Sequence, residues 1–139
     1  MTQEPADGGG KGPGSAFDLR FEMRDGSLCV YSSGTVDSLP ATIEFFLRIG
    51  EELGRVQARR VLIVDSTDGV VPSAQEFETL ATSIRDAGFD GVRVAYVDVK
   101  GTAVGRIEVG EIVARRHGYH FRVFDREPLA WLWLRYGRE

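Results

Sequence analysis

The six residues Arg60–Asp65, RVLIVD, constrain this chain more than any other stretch. Their apolar run, mostly β-branched, has neither the alternation of a half-exposed strand nor the length of a helix. Such a run is stable only where both faces of a strand are covered, as in the centre of a parallel sheet flanked by helices. Val92–Val97, VRVAYV, is a second run of the same kind. An α/β class follows.

The flanking segments fill in the order. Phe17, Leu19, Phe21 and Met23 alternate with Asp18, Arg20, Glu22 and Arg24, which is the period of a half-buried strand. Asp25-Gly26 is a hairpin turn signal, and Leu28 to Tyr31 supply the return strand. Asp37-Ser38-Leu39-Pro40 predicts a helix start, with Ile43, Phe46, Leu47, Ile49 and Leu53 at helical spacing up to about Gly54. Ser73-Ala74-Gln75-Glu76 reads as a capping box ahead of the apolar stripe Phe77, Leu80, Ala81 and Ile84, with Gly88 as the residue just past the helix end. Val104, Ile107, Ile112 and Val113 predict a third helix closing on Arg115-Arg116-His117-Gly118, where cations suit the helix dipole. Phe121, Val123 and Phe124 form a last strand. Glu127-Pro128 then opens a terminal helix. The predicted order is β-β-α-β-α-β-α-β-α: a hairpin followed by three βα units, giving a small mixed sheet with a parallel centre and amphipathic helices.

Composition narrows the function classes. The chain has 139 residues, enough for one domain with its own core. A net charge of −4 gives no electrostatic footprint for nucleic acid. Cys29 is the only cysteine, so no intramolecular disulfide is expected. No apolar run approaches the ~18 residues of a membrane span, and no secretion signal opens the chain, so a cytoplasmic location is the expectation. Residues 1–15, rich in Gly and Pro, read as a flexible tail, leaving 16–139 as a single domain. Within that tail Gly8-Gly9-Gly10-Lys11-Gly12 lacks the strand before and the helix after that a phosphate loop needs.

Few side chains suggest chemistry. Asp65 and Asp68 sit where the central strand ends, the edge at which α/β sheets bind ligands. A carboxylate pair there suits Mg²⁺ and phosphoryl transfer, but Asp-x-x-Asp also suits an ordinary polar turn. Ser73 has two readings, an N-cap or a phosphoacceptor at a helix start. His117 and His120 lack the further ligands of a metal site. Nothing forms a nucleophile–base pair, so no catalytic residue and no cofactor are expected. On the last helix Leu129, Leu132, Trp133 and Tyr136 predict a face packed on the sheet. Trp131 and Leu134 then point elsewhere, as an interaction surface.

Taken in order, Val61–Asp65, Val92–Val97, Glu111–Gly118, Arg122-Val123-Phe124 and Ala130-Trp131-Leu132 resemble the STAS/SEC14-like, sporulation-stage-II-AA-like bacterial domain family, over about residues 17–136. The family looks like the anti-sigma-factor antagonists in fold. Their phosphorylated Asp-Ser-Ser-Gly corresponds here to Val71-Pro72-Ser73-Ala74, in which only Ser73 matches. The resemblance implies a non-catalytic regulatory or interaction module that docks to a protein partner or to itself. Its SEC14-like branch implies instead a carrier of a small apolar ligand or lipid beneath the helices. A Mg²⁺-dependent enzyme built on Asp65 and Asp68 is the third expectation.

Overall fold

Arg60–Asp65 is a strand covered on both faces: Val61, Leu62 and Ile63 have no exposed surface. The computed structural model describes residues 10–11, 16–101 and 104–137, with side chains for 16–101 and 107–137. The elements are β1 (Gly10–Lys11), β2 (Phe17–Arg24), β3 (Ser27–Val36), α1 (Leu39–Val56), β4 (Arg60–Asp65), β5 (Asp68–Gly69), α2 (Ala74–Ser83), β6 (Arg93–Asp98), α3 (Val104–Arg116), β7 (His120–Phe124) and α4 (Glu127–Tyr136). The strands lie in the order β1-β2-β3-β4-β6-β7, with β5 beside the end of β3. β1, β2 and β3 are antiparallel neighbours; β3, β4, β6 and β7 are parallel. This is the expected mixed α/β sheet.

Local chemistry explains most boundaries. Asp25 and Gly26 both have positive φ, 54° and 81°, the two-residue turn whose twist matches that of the flanking strands. Ser38 caps α1 by accepting from the Ala41 N–H at 3.2 Å, with Pro40 in the first turn. α1 runs past Gly54 to Val56 and stops where Gln57 turns left-handed. The expected capping box at Ser73 and Glu76 is present.

Gly88 differs from expectation. α2 ends at Ser83 with Ile84 as its C-cap, and Gly88 instead lies where the following loop crosses α1. A Cβ on Gly88 would sit 2.5 Å from the Gly50 carbonyl oxygen, and one on Gly50 only 1.9 Å from that of Ala87. Two glycines let a helix and a loop touch backbone to backbone. Within the predicted tail, Gly10 and Lys11 pair with Leu19 and Asp18 of β2; the rest of residues 1–15 lies outside the described residues.

Three helices and one helix divide the two faces of the sheet. Beneath α1, α2 and α3 lies the larger core, where Phe17, Phe45, Phe46 and Phe89 form a chain of ring contacts with centroids 5.2–6.2 Å apart. Each of the fully buried rings, Phe17, Phe45 and Phe89, contributes roughly 1.5–3 kcal/mol by burial. α4 alone covers part of the opposite face, over Leu62, Val64, Ala95 and Val97.

Here the sequence expectation is corrected in part: Trp133 packs on the sheet as expected, but the rest of the expected face does not. Ala130, Trp133 and Leu134 are the buried residues of α4, whereas Leu129, Leu132 and Tyr136 are exposed. Leu134, expected on an interaction surface, is fully buried. The small Ala130 and Ala95, both without exposed surface, share this cluster with the larger Trp133 and Leu134. Trp131 is half-buried, its indole N–H donating to Glu127 at 3.2 Å and its ring flanked by Arg24 and Arg135.

Beyond α4, charges cover this face. Glu22 lies between Arg20 and Arg24 at 3.3 and 2.7 Å, and the Arg20 guanidinium stacks 4.4 Å above the Tyr31 ring. At the β7 margin, Glu111 of α3 reaches over to accept the Val123 N–H at 2.9 Å. Among the described residues no helix is long and apolar enough to cross a membrane.

Candidate functional site

The parallel strands end together, and there the larger core is incompletely filled. A cavity of about 210 Å³ lies between the sheet and the three helices. Phe45 from α1, Phe77 and Leu80 from α2, Ile107 from α3, Val94 from β6 and Phe121 from β7 supply apolar wall. Gly110 of α3 faces Phe77 so closely that a Cβ would fall 2.7 Å from the ring. A larger residue there would push Phe77 into the space it borders.

The mouth is polar. Asp65 and Asp98 are the last residues of β4 and β6 and are register partners. Each ends a hydrophobic strand with the same Val-Asp pair. Asp65 is held by four donors: Oδ1 accepts from Ser32 Oγ at 2.8 Å, the Thr67 N–H at 2.9 Å and Thr67 Oγ1 at 2.7 Å, and Oδ2 accepts from the Tyr96 hydroxyl. Burial, then the Asp65 charge and hydrogen bond, then the Asp98 charge push the Tyr96 phenol well above its ordinary range, so it stays protonated. Asp98 is itself buried and lines the cavity.

Across the opening runs the segment after β4. Its β5 pairs with the end of β3, Val36 opposite Gly69. Gly69 has φ of 134°, and a Cβ there would lie 1.8 Å from the Val36 carbonyl oxygen, so only glycine lets this segment lie so close. Asp68 is exposed and paired with Lys100.

The sequence candidates therefore divide. Asp65 and Asp68 both border the cavity. The carboxylate of Asp65, however, is filled by protein donors, and that of Asp68 is engaged by Lys100. A Mg²⁺ ion would have to displace those partners, so the pair does not fit one. Among the described residues no cluster of His, Cys, Asp and Glu is arranged to hold a metal.

Ser73 is exposed, and its Oγ accepts from the Glu76 N–H at 3.2 Å while Glu76 accepts the Ser73 N–H at 3.0 Å. A phosphate there would meet the Glu76 carboxylate. His117 is taken up by Glu78, 2.7 Å from Nε2, and by Arg85, 3.4 Å from Nδ1. Cys29 is buried on β3, and burial pushes its thiol up to about 11.

Tyr96, Thr67 and Asp98 were missed from sequence. The available signal was a tyrosine inside a strand of small and aliphatic residues, and the repeated Val-Asp ending of two strands.

No family model and no curated protein matches this chain. The cavity joins a mainly apolar interior to an open mouth bordered by carboxylates and hydroxyls.

Proposed function

We propose that this domain binds a small, largely apolar molecule in the cavity beneath α1, α2 and α3, as the carrier reading of the STAS/SEC14-like resemblance anticipates. The cavity carries the proposal. At about 210 Å³ it is larger than an engineered apolar cavity of roughly 150 Å³ that holds benzene. It is smaller than the roughly 300–1,000 Å³ of pockets for drug-sized ligands. Its size suits one ring with a short substituent, and a two-chain lipid would have to leave its tails outside.

Propylbenzene titrated into isotopically labelled protein tests this. Amide shifts confined to Val94, Tyr96, Phe77 and Ile107, abolished by filling the space with Ala114→Phe, support binding. Absence of shifts, together with a ligand-free native mass after purification from cells, removes it.

A second reading, the regulatory docking module, is favoured by the outer stripe of α4, where Leu129, Leu132 and Tyr136 are 40%, 56% and 74% exposed. Sedimentation of the wild type against Leu132→Asp tests self-association through this stripe. Identical monomeric profiles count against it.

A further inference from the structure

Building on the cavity reading, we infer that the cavity selects ligands that donate hydrogen bonds, small arylalkyl amines above all, and discriminates against carboxylates of the same skeleton. A hydroxyl has one proton to give and two lone pairs to receive with. Among the described residues four hydroxyl side chains line the cavity, and each has its proton committed within the protein. Thr42 donates to the Ser38 carbonyl at 3.0 Å and Tyr119 to the Ala81 carbonyl at 2.6 Å. Thr67 and Tyr96 both donate to Asp65. What these side chains retain for a ligand is acceptor capacity.

The charges act in the same direction. Among the described residues the carboxylates of Asp65, Asp68 and Asp98 border the cavity. Among the described residues that line it, Lys100 is the only cation, and its ammonium is drawn to Asp68. A ligand carboxylate would enter a field of its own sign and find acceptors where it needs donors. An ammonium finds acceptors and opposite charge, while its aromatic body replaces empty space against Phe77 and Phe121.

Three probes of one skeleton, phenethylamine, phenylpropionate and propylbenzene, are titrated into the intact wild-type chain by the amide-shift measurement above. A charge-assisted hydrogen bond at the mouth predicts that the amine binds about tenfold or more tighter than propylbenzene, with the carboxylate weakest. Asp98→Asn should narrow the gap between amine and hydrocarbon, and an undiminished gap counts against a contribution from the charge at the mouth. Carboxylate binding as tight as the amine, or propylbenzene tighter than the amine, overturns the donor preference and leaves the cavity reading intact. Failure of all three probes to move cavity resonances overturns both.

Discussion

The hydroxyl of Tyr96 donates to Oδ2 of Asp65, linking the floor of the cavity on β6 to the carboxylate that ends β4. Tyr96→Phe removes this bond and leaves a part-buried carboxylate oxygen short of a donor. A loss of about 1–3 kcal/mol is expected, read as a fall of roughly 3–10 °C in Tm. A melt superimposable on wild type would contradict it.

The same phenol shapes the alkaline limb of stability. Because its folded pKa is held well above 10.0, the unfolded chain loses that proton first as pH rises. The stabilisation is complete below pH 10 and falls away above it, at up to about 1.4 kcal/mol per pH unit. Cys29, raised from 9.0 to about 11, adds a decline between those values. Urea denaturation across this range should show a shallower limb for Tyr96→Phe, and shallower again with Cys29→Ala added. Parallel curves would mean that neither group is held as described.

Gly69→Ala tests the strap across the mouth. Its Cβ would collide with the Val36 carbonyl, and φ of 134° strains any residue with a side chain. A cost of about 1–3 kcal/mol is expected, taken up by release of β5 from β3. Hydrogen exchange at the Thr35–Val36 and Asp68–Gly69 segments should accelerate more than in the central strands. Uniform exchange throughout would count against a local strap.

Two neighbouring positions on α4 should behave oppositely. Trp133→Ala empties a buried site over Phe124 and is expected to cost about 3–5 kcal/mol. Leu132→Ala, on the outside, should change monomer stability by no more than about 0.5 kcal/mol. Equal losses at both would place the helix in the orientation that hydrophobicity alone suggests.

That helix shows where sequence reasoning stops. The strands were legible because alternation and β-branched runs report burial directly, as Phe17–Met23 and Val61–Val64 do. α4 carries large apolar residues around much of its circumference, so periodicity does not choose a face. The face that is buried, Ala130, Trp133 and Leu134, is set by packing against Leu62, Val64, Ala95 and Val97, residues distant in sequence. The Tyr96–Asp65 pair was hidden for another reason: the partners are 31 residues apart and meet only through the β4–β6 register. A cavity leaves still less trace, because it is volume that Phe77, Ile107 and Phe121 do not occupy. Gly110 and Gly69 help define its boundary through what they lack.

The carboxylate that Glu111 lays across Val123 bears on assembly. A strand arriving from another molecule would need the same N–H, and to obtain it would have to evict an anion already seated there. Growth of the sheet into a larger oligomer or fibre is thereby resisted along β7. Association on this side is steered towards packing of helix surfaces.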